Sequence, residues 1–338
     1  MEKNKAVVIA AIVVVAIAAI GTAVVLMPAR AAELSGTLTI AGSTTLQPIN
    51  AECGRLLMEK NPELRISVSG GGSGHGVRAV GEGEIDVGAA SRDVKTKERE
   101  GYPDLKPVVI GKDSVAIVVH PNNDVSELTM EQASKIFSGE IENWKEVGGA
   151  DEAIRVITRE EGSGTRDCFE KSVMKPFEKE IAEKASTKMS NGEVSKTVST
   201  DAKSIGYLSL GYVDASVKAV KMDGVAATVK NVLSGDYAIT RSLYLITKGE
   251  PGDLEKAFID FVLSEEGQEV VEDMGYIKVA MEVTPAPTPT PEEATAEITP
   301  TPTPTPTPTA PGFEVVFAIA CLLVIAYAVL RRRKWSRK

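Results

Sequence analysis

Thr39-Ile40-Ala41-Gly42-Ser43-Thr44-Thr45-Leu46 and Val156-Ile157-Thr158-Arg159-Glu160-Glu161-Gly162-Ser163-Gly164-Thr165 repeat one pattern: an apolar strand, a short turn rich in glycine and hydroxyls, and the start of a helix. A helix start exposes unpaired N–H groups and a partial positive charge. Ser43, Thr44 and Thr45 in the first turn, with Ser163 and Thr165 in the second, add hydroxyl donors at those starts. Each turn can therefore hold an oxyanion, and two opposed turns can enclose one. Taken singly, the same hydroxyls also serve as ordinary helix caps.

Outward from these turns, short apolar runs alternate with helix-like stretches. Thr37–Ala41, Arg65–Ser69, Ile85–Gly88, Ser114–His120, Ile154–Thr158, Ile205–Leu208 and Ser242–Thr247 read as strands. Leu46–Lys60, Met130–Ser138, Gly164–Ser172, Lys175–Ser186 and Asp253–Leu263 read as helices. Such alternation implies an α/β fold with mostly parallel sheets. A third loop, Ser69-Gly70-Gly71-Gly72-Ser73-Gly74-His75-Gly76-Val77, has enough glycine for its backbone to approach a ligand closely, with Ser73 as a donor. A fourth, Ala89-Ala90-Ser91-Arg92-Asp93, comes after the strand Ile85–Gly88 at its carboxyl edge, where ligands of open α/β sheets bind. Arg92 there either supplies charge or pairs with Asp93 on the surface.

Composition removes other function classes. Of 338 residues, 43% are apolar and 25% charged, which leaves room for one large domain or two ordinary ones with real cores. Two histidines (His75, His120), three cysteines (Cys53, Cys168, Cys321) and the lack of an H-E-x-x-H give no basis for a metal centre. The glycine-rich stretch has no third Gly in G-x-G-x-x-G register, and neither a P-loop nor a G-x-S-x-G occurs, so no cofactor is expected. A Ser/His catalytic pair would need His75 or His120, and no catalytic residue is assigned. A formal charge of −9 argues against nucleic acid as a partner.

The ends carry their own signals. Residues 6–29 are uncharged, come after Lys3 and Lys5, and lead into Ala29-Arg30-Ala31, so residues 1–32 read as a signal peptide or signal anchor. The chain beyond residue 32 is expected outside the cytoplasm. Residues 284–311 hold ten Thr and ten Pro in 28 positions, a polyproline-II stalk that spans roughly 85 Å at about 3.1 Å per residue. Residues 312–338 bring Pro311-Gly312-Phe313 into an apolar run, Val315–Leu330, and then Arg331-Arg332-Arg333-Lys334, a transmembrane or sorting segment with its basic end inside. This tail resembles the PGF-type sorting signals of archaeal surface proteins, which implies a membrane or lipid anchor at the cell surface. The domain between, residues 33–283, carries 29 basic and 42 acidic side chains, so a net −13 does nothing to attract anions from afar.

Gly42-Ser43-Thr44-Thr45-x-x-Pro48, Gly72-Ser73-Gly74, Ala90-Ser91-Arg92, Ile136-Phe137-Ser138-Gly139-x-Ile141-x-Asn143-Trp144, Arg159-x-Glu161-Gly162-Ser163-Gly164-Thr165 and Ile205-Gly206-Tyr207 resemble, in this order, the PstS phosphate-binding family of ABC-type importers. The resemblance spans residues 36–280 and implies a two-lobed periplasmic-binding fold, two mixed sheets flanked by helices. It puts lobe 1 at about 33–117 and 242–283 and lobe 2 at about 118–241. It implies a non-enzymatic receptor that captures inorganic phosphate between the lobes and presents it to a membrane permease. Sulfate, molybdate, a phosphonate, or an adhesive role for the same fold are the alternatives.

Carried over by position, Thr44, Thr45, Ser73 and Ser91 become donors, supported by Ser43 and Gly72. Arg159 becomes the anion's arginine, Glu161 the acid that holds it, and Ser163, Gly164 and Thr165 the donors of the second lobe. Many relatives carry an Asp directly after the serine of the fourth loop; this chain has Arg92 there and Asp93 next, and both are candidates. A carboxylate facing the ligand favours phosphate, which keeps a proton near neutral pH, over sulfate, and Asp93 is expected to be that acceptor, ahead of Glu161. Cys53 and Cys168, one in each lobe, are expected to be free, because a bridge would lock the hinge.

Overall fold

The computed structural model describes residues 33–279. The leader, the Thr/Pro stalk, the apolar tail and Cys321 lie outside the described residues. β1 (Gly36–Gly42) runs parallel to β2 (Leu64–Gly71) on one side and β3 (Val87–Ala90) on the other. The chain continues through β4 (Leu105–Val119), β5 (Glu127–Leu128), β6 (Arg155–Arg159), β7 (Ser186–Lys188), β8 (Ser204–Ser209), β9 (Lys218–Ala219), β10 (Lys221–Met222) and β11 (Thr240–Lys248). The strand order is β2-β1-β3-β11-β4-β8-β6-β7, with β9 also on β4 and β5 paired with β10 apart.

β4 decides the architecture. Its first part, residues 105–114, pairs antiparallel with β11, and its last part, Val115–Val119, pairs antiparallel with β8. One 15-residue strand thus serves both lobes and joins the expected two mixed sheets into one curled path. The expectation of mostly parallel sheets is corrected, since β11 is also antiparallel to β3. The chain crosses between lobes on β4 and returns on β11, and an outward and a returning strand side by side must run in opposite directions.

The apolar residues gather into two main cores. One contains Val115–Val119, Phe137, Trp144, Phe169, Tyr207 and Ile239, with the Phe169 and Tyr207 rings stacked at 4.1 Å. The other contains Leu38, Ile40, Ile49, Cys53, Ile110, Leu243 and Phe258, and a small third cluster with Val77 and Val80 adjoins β3. In the helix Gln47–Lys60 the burial of Ile49, Cys53 and Leu57 at four-residue spacing presses one face onto the sheet. Cys53 and Cys168 are free and buried, and burial pushes their thiols up to about 12 and about 11.

Two readings of local structure need correction. Lys175–Ser186 is not a helix: a three-residue turn, Lys175–Phe177, contains Pro176 and ends at Glu178 with φ 55°, and β7 begins at Ser186. The charged run Glu178-Lys179-Glu180 and Glu183-Lys184 offers no apolar stripe to bury. The glycine-rich stretch read as a third loop, residues 69–77, is not a loop: β2 runs to Gly71 and a helix spans Ser73–Glu82. Gly76 is needed within it: a Cβ there would lie 2.7 Å from the carbonyl oxygens of Ala41 and Ala89, so only glycine lets this helix rest directly on β1 and β3.

Candidate oxyanion site

β1 ends at Gly42, whose φ of +133° and close approach to the Ala89 carbonyl, 2.3 Å from where a Cβ would be, exclude any side chain. The chain turns there through Ser43, Thr44 and Thr45, all buried, into the helix Gln47–Lys60, which has no side-chain cap of its own. At the end of β6 the second turn differs. Ser163 Oγ accepts from the Arg166 N–H and caps the helix Gly164–Phe169.

The two turns meet across the lobes. A Cβ on Gly164 would lie 2.5 Å from both Ser73 Oγ and Ser91 Oγ, so the second turn is wedged against the third and fourth loops. Ser43 donates to Ser91 Oγ at 2.8 Å, and the Ser91 N–H donates to Ser73 Oγ at 3.0 Å. Thr45 Oγ1 and Thr165 Oγ1 lie 3.5 Å apart, and Arg159 Nη2 donates to Thr44 Oγ1 at 3.3 Å. Ser43, Thr44, Thr45, Ser73, Ser91, Arg159, Ser163, Gly164 and Thr165 therefore occupy one buried locus. Gly72, at φ +85°, leaves space where a Cβ would crowd Glu160 Oε1 at 2.9 Å.

Three expected residues fall elsewhere. Arg159 is held by Glu160, not Glu161: its Nε and Nη2 donate to the Glu160 carboxylate at 2.8 and 2.9 Å. The turn closed by Ser163 N–H on the Glu160 carbonyl folds Glu160 back beside its neighbour and leaves Glu161 exposed. Arg92 is buried, but its guanidinium is bidentate on Glu98 at 2.8 and 2.6 Å and also donates to the Asp93 carbonyl. Burial alone would raise the Glu98 carboxyl; Arg92 and the Lys95 N–H outweigh it and hold the group below its ordinary value. Asp93 is exposed and accepts from the Tyr244 hydroxyl. Neither Arg92 nor Asp93 bonds to the hydroxyl cluster, so the fourth loop contributes Ser91 alone.

The sequence reading missed a second arginine. Arg241 on β11 stands opposite Asp113 on β4 in register and donates to its Oδ2 through Nε at 2.9 Å and Nη2 at 2.6 Å. Its Nη1 reaches Thr165 Oγ1 and its Nη2 reaches Thr45 Oγ1, both at 2.9 Å. Complete burial pushes the Asp113 carboxyl up, and Arg241 opposes that shift. The available signal was positional: Asp113 and Arg241 each sit one residue outside an apolar strand reading, where an unpaired charge would be costly. Asn191, also missed, is fully buried and donates through Nδ2 to Thr44 Oγ1 and Thr45 Oγ1. Tyr212 and Tyr276 hydroxyls hold the Thr44 and Thr45 carbonyls at 2.7 and 3.0 Å.

Chemically the locus is a set of neutral donors with two guanidiniums, each charge balanced by one carboxylate. Among the described residues no group of three or more His, Cys, Asp or Glu side chains gathers to hold a metal.

Known proteins resemble this chain. A family model described as a PBP superfamily domain matches residues 28–266, and the PGF-CTERM motif, a C-terminal surface-anchoring signal, matches residues 310–332, which makes this a cell-surface protein. The phosphate-binding protein PstS of Bacillus subtilis is 38% identical over 258 residues, covering 75% of this chain and 84% of the relative. A Clostridium perfringens protein assigned to phosphate ABC transport, solved with bound phosphate, is 40% identical with a TM-score of 0.69, covering 72% of this chain and 100% of that one. An ABC-type phosphate transport receptor from Vibrio cholerae is 32% identical with a TM-score of 0.59, covering 72% and 100%. With its two turns, its curled sheet and these matches, the chain belongs to the PBP superfamily and, within it, to the PstS phosphate-binding proteins.

Proposed function

We propose that this protein captures inorganic phosphate between its lobes and delivers it to an ABC-type permease in the membrane, without chemical change to the ligand. The single observation that carries the reading is the convergence of two strand–turn–helix starts, with Arg159 and the hydroxyls of Thr44, Thr45, Ser73, Ser91 and Thr165, in one buried locus across the lobes. A helix start and charge-assisted donors suit an oxyanion. The solved relative with bound phosphate supports the choice of phosphate among oxyanions. Residues 33–283 form the binding domain, residues 284–311 the stalk, and residues 312–338 the anchoring segment through which the chain is held to membrane or lipid.

Delivery to a permease requires release, and the lobe contacts suit a reversible latch: beside the buried site, the lobes meet through Gly74 N–H on the Gly162 carbonyl, Ser209 Oγ on the Tyr276 hydroxyl, and Lys95 on Asp167. Isothermal titration of the full chain with phosphate tests the reading. Saturable one-to-one binding is expected, with sulfate and molybdate as weaker competitors and no release of p-nitrophenol from p-nitrophenyl phosphate. No binding of any of the three anions would leave the adhesive role for this fold, and turnover of the ester would make it an enzyme.

A further inference from the structure

Asn191 opens the helix Asn191–Thr200, is fully buried, and touches both turns at once. The orientation of its amide is decided by its neighbours. The Ser209 N–H at 3.2 Å and Arg159 Nη1 at 3.3 Å are both donors, so the side facing them is Oδ1. Nδ2 therefore faces the first turn, 3.3 Å from Thr44 Oγ1 and 3.0 Å from Thr45 Oγ1.

A hydroxyl has two acceptor sites and one proton to give. Thr44 Oγ1 accepts from Asn191 and from Arg159; Thr45 Oγ1 accepts from Asn191 and from Arg241. Both oxygens are saturated as acceptors, and each threonine can only donate its proton onward. Thr165 Oγ1, at 3.5 Å from Thr45, is too far to capture that proton well. The charges around this triad are Arg159 with Glu160 and Arg241 with Asp113, already paired.

We infer that Asn191 is a positioning residue for the oxyanion: by occupying one acceptor site on each of two threonines, it fixes Thr44 and Thr45 as obligate donors to the bound anion's unprotonated oxygens. The inference rests on phosphate being the ligand. It assigns the ligand's own proton, where there is one, away from this turn and toward Ser73 and Ser91: Ser43 donates to Ser91, the Ser91 N–H donates to Ser73, and the two hydroxyls lie 3.4 Å apart, so whichever of them donates to the other keeps one acceptor site free.

Asn191→Asp inverts the arrangement. The carboxylate has no proton to give, so Thr44 and Thr45 turn their protons toward it and each regains an acceptor site. At pH 8 phosphate and sulfate are both chiefly dianions, and the added negative charge weakens both; only phosphate brings a P–OH proton that the freed acceptors can take. The expected result is weaker binding of both anions, with the ratio of sulfate Kd to phosphate Kd raised at least tenfold over the unaltered protein. Equal weakening of the two would overturn the inference and leave Asn191 structural. A second measurement needs no variant: in the phosphate complex the Asn191 side-chain amide protons are expected to exchange with solvent far more slowly than those of an exposed asparagine, and free exchange would overturn the inference even where Asn191→Asp fails to fold or sulfate is too weak to measure. An unaltered protein that binds neither anion overturns the phosphate reading, and this inference with it.

Discussion

The two turns that face each other across the lobes are built on the same pattern but are held in different ways. The second turn is self-sufficient: Arg159 finds Glu160 next to it, and Ser163 caps its own helix. The first turn is not. Its helix lacks a side-chain cap, and its threonine hydroxyls accept from Arg159 and Asn191 of the second lobe and from Arg241 on the returning strand. The first turn is anchored within its own lobe by Ser91 and Tyr276, but its threonine hydroxyls are fixed only when the lobes meet, which places the specificity of closure in the first turn and the charge in the second.

The largest expected effect bears on the strand that serves both halves. Arg241→Met strands Asp113 in a fully buried position, and loss of one partner of such a pair typically costs about 3–5 kcal/mol. Denaturant unfolding should show that loss, and adding Asp113→Leu should recover most of it; a stability within about 1 kcal/mol of the unaltered protein would mean Arg241 is no anchor.

Arg159→Ala should have the largest effect on phosphate affinity. Each charge-assisted hydrogen bond carries about 1.5–3 kcal/mol, so titration calorimetry should read a loss of roughly ten- to over a hundredfold. Glu160→Gln should weaken binding less, and Glu161→Gln should leave it unchanged; the reverse order would return Glu161 to the role assigned from the motif. Ser163→Ala removes a cap only the second turn possesses and should cost about 1 kcal/mol of stability. A comparable cost at Ser43 would erase the distinction between the turns.

The latch between the lobes gives the smallest effect, and it has a pH sign. Burial raises the Asp167 carboxyl, but Lys171 and then Lys95 outweigh it and hold the group below its ordinary value. A depressed acid contributes stability that is present above the unfolded value of about 3.9 and is lost as pH falls through the lower, folded one. The effect of Asp167→Asn on phosphate affinity should therefore be greatest near neutral pH and fade as pH falls through the folded value; because Lys95 is exposed, even the neutral-pH effect should be small, and a large one would make Lys95–Asp167 part of the site.

Much of this was legible in the chain because the turns are local. Gly42-Ser43-Thr44-Thr45 and Gly162-Ser163-Gly164-Thr165 specify their own backbone, and the residues that enter the locus from them are the ones their pattern announces. The missing parts are long-range. Arg241 and Asp113 are 128 positions apart and become neighbours only through the β4–β11 register. Asn191 lies in a polar stretch, Ser190-Asn191-Gly192-Glu193, whose local pattern gives no sign that its amide bridges both lobes. Arg92 and Asp93 are the opposite case: adjacent in sequence to a serine of the locus, they bond instead to Glu98 and Tyr244, partners that local pattern does not reveal.

A crystal structure of the domain with phosphate decides whether the two turns form the binding site. The anion is expected between them, its oxygens about 3 Å from the Thr44 and Thr45 hydroxyls, the Arg159 guanidinium and the Ser163–Thr165 turn, with Asp93 out of contact. Phosphate found instead against Arg92 or Asp93 in the adjoining cleft, with the two turns still closed directly on each other, would contradict that assignment.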